Sequence, residues 1–545
     1  MRESSLSPPP SSLLLSSPRL RALFLALVLS LLVAHLGGYP LFDADEGRNG
    51  EVGREMAASN DYVMPRLDGL PYLDKPIVYF AAEAAVMEVL GPTEFAARLP
   101  ALLFTLATAA LLAWFARRLW GTDAAWTAAV VFLSMPLTIA FSRTVIFDSA
   151  LTFFIVAAII AFWFAIEEES KRATTLAWAM IGLGVLTKGP VAIALPFFVA
   201  IPYAIKRKRA RALISIGGVV AFIAVIAPWV WAISQQIPDF LHYVVVTETA
   251  QRMATKALKR TGPPWYFLPY LIGGALPWSF LLIGGWKELR DRWRENETLY
   301  LLLWVGIPFL FFSISQSKRP QYILPLMPGL ALLVARMTRG MRIAAIATAI
   351  LGALLLIAPW FVHKHDAILD ATVPMALTLG TIALVTGLIA AFVKRRDVAI
   401  ALLSLPMLAI PLVANPLMNA IGDRRSTRTL IAELRPHLTP ETELVGFEAY
   451  TGSMSFYLQR PFVVATPDAE EFTSNYLIRH YARFADDPSS TMRRLDWAVR
   501  LLDDRSRPRI FLVRDVDTAK RTLLEQRGAR VVAVGPHHVA YTIAR

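Results

Sequence analysis

Along this chain the hydrophobic residues run in unbroken stretches of about twenty, with polar positions confined to the gaps, instead of recurring as a helical stripe or alternating as in a half-buried strand. Stretches of that length cross about 30 Å of hydrocarbon as helices. They fall at about 20–36, 98–119, 123–141, 148–166, 173–187, 190–205, 212–233, 265–286, 298–314, 321–337, 341–361, 374–393 and 398–414. The pattern predicts about thirteen spans and excludes a soluble enzyme with one anchor. The run 77–90 is short and interrupted by Glu83 and Glu88, so it is predicted to lie on the outer surface as an amphipathic helix. With that placement Arg117/Arg118, Lys171/Arg172, Lys206 to Arg209 with Arg211, Lys287 to Arg294, Arg336 to Arg342 and Lys394 to Arg396 all fall on one, cytoplasmic, side.

Past about residue 415 the pattern becomes that of a water-soluble domain. Strand-like runs at Glu443–Glu448, Phe462–Thr466, Arg509–Arg514, Arg530–Gly535 and Val539–Ala544 alternate with helix-like segments at Arg424–His437, Ser453–Leu458, Glu470–Phe484 and Thr518–Arg527. The fold class is therefore a mainly α, polytopic helical membrane protein with a C-terminal soluble α/β domain. Residues 1–18 read as a disordered cytoplasmic N-terminus, 19–414 as the transmembrane domain with an outer loop at 37–97, and 415–545 as the α/β domain on the outer side. The first helix, behind Arg19 and Arg21, reads as an uncleaved signal anchor. Neither an internal repeat nor a P-loop or Rossmann glycine fingerprint is present.

Composition sharpens this only at two points. Of the 545 residues 55% are hydrophobic and 18% charged, and the net charge of +13 belongs to short loops between apolar runs, which removes nucleic acid as a partner. The chain has no cysteine, so any metal would need histidine and carboxylates.

The candidate chemistry lies in polar residues that lipid should reject and in charges that defy the orientation pattern. The first outer loop carries Asp43, Asp45, Glu46 and Arg48 at a helix mouth. Clustered carboxylates in a partly buried site raise one another's pKa and suit general-base work or metal coordination, while the bland alternative makes Asp45 a helix cap. Asp74 and Lys75 follow at the start of the surface helix, where the ammonium and free backbone donors could hold a phosphate or Lys75 could simply pair with Asp74. Arg143 and Asp148 share a very short outer loop, either as an ion pair or reaching the cavity of Asp45. Lys188, Lys318 and Tyr322 stand at two more outer turns, and the loop 234–264 carries Glu248 and Arg252. Basic residues on the outer side call for an anionic headgroup or phosphate.

The ordered motifs Asp-Glu-x-Arg, Arg-Glu-Met, Pro-Arg-Leu-x-Gly-x-Pro-Tyr, Asp-Lys-Pro, Ala-Arg98-Leu-Pro100, Arg143 to Asp148, Leu-Thr-Lys188-Gly-Pro and Ser-x-Ser-Lys318-x-x-x-Tyr322 resemble the GT-C glycosyltransferases. The resemblance is to the enzymes that transfer 4-amino-4-deoxy-L-arabinose from undecaprenyl phosphate to lipid A and, more distantly, to protein O-mannosyltransferases. It implies a polyprenyl-phosphate-linked sugar donor, inversion at the anomeric centre, a bacterial inner-membrane location, and a site facing the periplasm. Carried onto matching positions, it makes Asp45 the catalytic loop acid with Glu46 beside it and Asp148 the second acid. It makes Lys75 the family's lysine; the outer-side cations Lys75, Arg143, Lys188 and Lys318 are then the candidate donor-phosphate set, and Arg48, Asp74, Glu248, Arg252 and Tyr322 the candidate substrate and loop residues. In the lipid A enzymes a Glu-His pair can bind zinc, whereas this chain reads Glu248-Thr249, so no cofactor is expected to be required. A lipid glycan, a cell-envelope glycan or a protein remain open as acceptor, and a transporter or flippase is the alternative class.

Overall fold

The computed structural model describes residues 17–244, 262–361 and 366–543. The predicted stretches are built from helices: α1 (Pro18–Val33), α4 (Glu94–Trp120), α5 (Thr122–Leu133) with α6 (Pro136–Phe141), α7 (Asp148–Glu167), α8 (Lys171–Lys188), α9 (Val191–Lys206) and α10 (Ile216–Gln236), followed by helical segments from 264 to 413. Among the described residues seven helices are long and apolar enough to cross a membrane, or eight if the bent pair 264–284 is one span. The others are shorter or broken. α5 stops because Pro136 forces Met135 into an extended conformation before α6 can start, and the pair ending at Gly284 turns by 102° at a break containing Pro277.

Burial ranks the helices. In α7 the apolar window is 89% buried, so it is the central strut of the bundle, whereas the window in 210–236, which holds α10, is only 11% buried and faces outward. The bundle core includes Leu112, Phe115, Phe132, Ile159, Trp163, Tyr203 and Trp304. The chain is a multi-pass membrane protein.

The loop 37–97 folds over one end of the bundle as α2 (Asp45–Ser59), a hairpin of β1 (Arg66–Leu67) and β2 (Leu70–Pro71), and α3 (Val78–Leu90). The hairpin turns on Asp68-Gly69 with φ of 56° and 78°, the left-handed pair that a two-residue turn demands. At 13 residues α3 is about 20 Å long. It packs against α2, α4 and α8 through Tyr79, Phe80, Glu83, Ala84 and Met87.

The C-terminal region is a six-stranded sheet ordered β5-β4-β3-β6-β8-β7, with β3 (Glu443–Phe447), β4 (Val463–Thr466), β5 (Met492–Arg494), β6 (Arg509–Arg514), β7 (Arg530–Val534) and β8 (His538–Ile543). The first four in that order are parallel, and β8 runs antiparallel to β6 and β7. Alternation splits each strand between two cores. Leu444, Val464, Ile510 and Leu512 join Leu41, Val52, Met56, Tyr72 and Phe147 in one cluster, while Val445, Phe447, Phe511 and Val513 face the other. One sheet face is thus fused to the loop 37–97 and to the bundle end beneath it.

Candidate active site

Asp45 is the first residue of α2, with Ala44 as N-cap and no side-chain capping bond, so the helix-cap alternative does not hold. Its carboxylate instead accepts from Arg48 Nη2 at 2.8 Å and from Arg319 Nη1 at 3.1 Å. Arg48 Nη1 also donates to the Thr473 hydroxyl at 2.7 Å and carbonyl at 3.2 Å, and the guanidinium lies over the Tyr72 ring at 5.8 Å. Three parts of the chain therefore meet at Asp45: the start of α2, the turn at 315–319, and the α/β domain. The Asp45 side chain is 40% exposed. Burial raises its pKa, but the charges of Arg48 and Arg319 outweigh that and hold it below the ordinary aspartate value. Sequence reasoning expects a raised pKa from the neighbouring acids; those acids are turned away, and two cations take their place.

Glu46 points into the bundle. It is 3% exposed and takes both Nε and Nη2 of Arg98, at 3.1 and 2.9 Å, together with the amides of Phe42 and Val145. Arg98 in turn donates to the carbonyls of Leu36, Tyr39 and Pro40 and stacks on Tyr39 at 3.7 Å. With Asn49 donating to the Val145 carbonyl at 2.9 Å, Glu46 fixes the turn that leads into Asp148. Its place is structural.

Asp148 opens the central helix α7, where the helix N-terminus favours a carboxylate. It is 2% exposed; Oδ1 accepts from Lys188 Nζ at 2.6 Å, and Oδ2 has no partner among the described residues. Its partner is Lys188, so the alternative of an Arg143–Asp148 ion pair does not hold. The Lys188 ammonium sits over the Tyr322 ring at 5.4 Å. A 3-10 helix at Pro320–Leu326 carries Tyr322 three residues after Arg319, so one rigid turn touches both acids' partners.

The remaining sequence candidates occupy other posts. Arg143 donates to the carbonyls of Leu32 and Ala34 at 2.6 and 2.7 Å, closing the C-terminal end of α1. Lys318, with its pKa lowered by burial, donates to Phe312 and Ser313 carbonyls at 2.9 and 2.6 Å and caps the helix Asn296–Ile314. Lys75 precedes α3 instead of opening it, and its Nζ donates to the Asp74 carbonyl at 2.7 Å. Asp74 accepts from the Tyr243 hydroxyl, the Asn475 and Tyr476 amides and the Ser474 hydroxyl, which binds the α/β domain to the loop. Glu248 and Arg252 lie outside the described residues.

Two further residues matter here. Arg319 directly follows Lys318, and nothing in the spacing says which of two adjacent bases faces the acid. Asp43 bonds the Ser453 hydroxyl and, at 3.1 Å, the Ser453 amide. Burial pushes its carboxyl up to about 6 against those bonds.

No group of three or more His, Asp or Glu side chains suited to a metal occurs among the described residues. Asp74 spends both oxygens on protein donors. The Glu248-Thr249 position, where the resemblance sets the zinc ligands, lies outside the described residues.

A family model described as dolichyl-phosphate-mannose-protein mannosyltransferase matches residues 74–231. The undecaprenyl phosphate-alpha-4-amino-4-deoxy-L-arabinose arabinosyl transferase of Erwinia tasmaniensis is 34% identical over 349 residues, 60% of this chain and 63% of that protein. That of Edwardsiella ictaluri is 34% identical over 373 residues, 64% of this chain and 67% of that protein. The matched part thus spans about three fifths to two thirds of these relatives' length. The crystal structure of ArnT from Cupriavidus metallidurans bound to undecaprenyl phosphate superposes with a TM-score of 0.84 at 26% identity, covering 96% of this chain and 97% of that one. The transport alternative gains no support from these comparisons. The chain belongs to the family of undecaprenyl phosphate-alpha-4-amino-4-deoxy-L-arabinose arabinosyl transferases, membrane glycosyltransferases of the GT-C type.

Proposed function

We propose that this protein transfers a sugar from an undecaprenyl or related polyprenyl phosphate to an envelope lipid acceptor, with inversion, at the periplasmic face of the bacterial inner membrane. The observation that carries the reading is the Asp45 carboxylate held half-exposed between Arg48 and Arg319, in a fold that matches an undecaprenyl-phosphate-bound relative from end to end. Ionised at neutral pH, Asp45 accepts a hydrogen bond from the incoming acceptor or the sugar and holds it on the face opposite the lipid phosphate. The acceptor oxygen bonds to the anomeric carbon as the bond to the donor phosphate breaks, and the electron pair leaves on that phosphate. Lys188, Arg319 and Lys75 are the cations that neutralise it, with Asp148 positioning Lys188. Arg143, Lys318, Glu46 and Asp74 hold the frame. The reading needs no metal, since the cations supply the positive charge.

The test uses the purified full-length chain in vesicles carrying undecaprenyl phosphate-linked 4-amino-4-deoxy-L-arabinose and lipid A. Mass spectrometry should find the sugar's mass added to lipid A and an equal amount of undecaprenyl phosphate released, with a chelator making no difference. Donor that only changes leaflet and stays intact would replace transfer with transport.

A further inference from the structure

One cavity lies far from Asp45, at the other end of the bundle. α8 runs from Lys171 to Lys188, and its 18 residues span about 27 Å. Lys188 meets Asp148 at the end covered by the α/β domain, so Lys171 marks the opposite end. There a cavity of about 1170 Å³ opens between the α7–α8 turn and the α9–α10 connection.

Its lining is basic and its walls are fixed. Lys171, Lys208, Arg209 and Arg211 line it, with Glu169 as the one acid. Glu169 is neutralised by Arg209 at 3.0 Å, and Arg209 also donates to the carbonyls of Ile166 and Glu167. That leaves the side chains of Lys171, Lys208 and Arg211 without an ion-pair partner among the described residues. The connection is held in place by Thr174 donating to the Ala212 carbonyl at 2.8 Å and Trp178 donating to the Leu213 carbonyl at 2.9 Å. Lys208 adopts a φ of 58°, a left-handed conformation costly for a side chain with a Cβ, so a cation is kept where glycine would be easier. The rim is apolar and outward-facing: Ile205, Ile214 and Ile216 are 63%, 66% and 87% exposed. Beyond it lies α10, with Val219, Val220 and Ile223 also exposed.

A cationic chamber at a helix end, opening directly onto a lipid-facing apolar helix, matches a molecule with an anionic head and hydrocarbon tails. We propose that this cavity binds the phosphate headgroup of an anionic phospholipid, with Lys171, Lys208 and Arg211 on the phosphate and the acyl chains along α10. A zwitterionic lipid brings its own ammonium into the cation cluster and is disfavoured. The inference is independent of the sugar-transfer reading.

The full-length protein in phosphatidylcholine discs is titrated with phosphatidylglycerol of the same chain length, and bound lipid is counted by native mass spectrometry. One phosphatidylglycerol should be retained per chain, and K171Q/K208Q/R211Q should weaken its binding roughly a hundredfold. K287Q/R294Q/R342Q, equal in charge removed from other loops, should leave it unchanged. K208G removes one charge while relieving the backbone, so it should fold at least as well as the parent and still bind about fivefold more weakly. Inorganic phosphate should not displace the lipid. The proposal fails if both triple variants lose binding equally, which would mean a diffuse basic surface. It also fails if K208G and K171Q/K208Q/R211Q bind like the parent, or if inorganic phosphate competes fully, which would make this an anion site without lipid character.

Discussion

Asp45 and Glu46 are neighbours in the chain and belong to different parts of the molecule. A helix turns about 100° per residue, so at the start of α2 one carboxylate faces the meeting point of loop, bundle and α/β domain while the next faces the bundle interior. Asp45 remains 40% exposed and is held by two arginines that reach it from separate elements. Glu46 is 3% exposed and has all its partners within hydrogen-bond reach on fixed backbone or on Arg98. The difference separates a group that works from a group that holds. A half-exposed carboxylate can exchange one of its cationic partners for a substrate, whereas a buried carboxylate with every lone pair taken can only keep its neighbours in place.

The largest expected effect comes from breaking the first of these. Asp45→Asn keeps size and shape, so expression and thermal stability should match the parent while transfer falls about a thousandfold, equivalent to about 4 kcal/mol in the barrier. Near-normal turnover would take Asp45 out of the mechanism. Glu46→Gln should do the reverse. It leaves Arg98 charged and unpaired in the interior, at a cost of about 3 kcal/mol in stability. Melting should drop while turnover per folded molecule stays within about threefold. If Glu46→Gln melts normally and is inactive, the division between the two acids collapses.

That division was not legible in the sequence. The spans, the α/β domain and the cluster of outer charges were, because each follows from length, period and the cost of charge in lipid. The short strand Met492–Arg494 was missed, since Met-Arg-Arg carries no apolar run and lies at the sheet edge beside β4. Tryptophans in a membrane protein are expected at the interface, but Trp278 is fully buried and donates to Ser134 at 3.0 Å. The site residues were found as a set, yet their pairings depend on tertiary contacts: Asp148 took Lys188 from forty positions away instead of Arg143 in its own loop. A sequence names the charges; which of them face each other is decided by which faces the helices bury.

The same contrast recurs between adjacent bases. Arg319 reaches Asp45, and Lys318 caps carbonyls of the helix Asn296–Ile314. Arg319→Gln should lower transfer by about ten- to a hundredfold with little change in melting. It should also let the Asp45 carboxyl rise towards its ordinary value, because one of the two charges holding it down is gone. Lys318→Gln should cost about 1 kcal/mol in stability and less than threefold in rate. Equal rate losses in the two variants would mean that the turn acts as one cationic patch.

The last effect concerns Asp43, which together with Asp74 ties the outer loop to the α/β domain. Its folded carboxyl titrates at about 6 against an ordinary 3.8, with burial as the main cause and the Ser453 hydrogen bonds opposing it. The folded protein therefore holds this proton more tightly than the unfolded chain does. The contribution is fully present below about 3.8, declines as pH rises, and is lost above about 6. Asp68 and Glu51 are also raised by burial, so the parent's melting curve alone mixes several acids. The difference between parent and Asp43→Asn isolates one of them, because asparagine keeps an acceptor for the Ser453 donors and cannot titrate. Relative to that variant the parent should lose about 2 kcal/mol of stability between pH 4 and 7. A difference that stays flat over that range, or one that grows in the parent's favour as pH rises, would show that the carboxyl is ionised throughout and that the loop is fastened to the domain by charge.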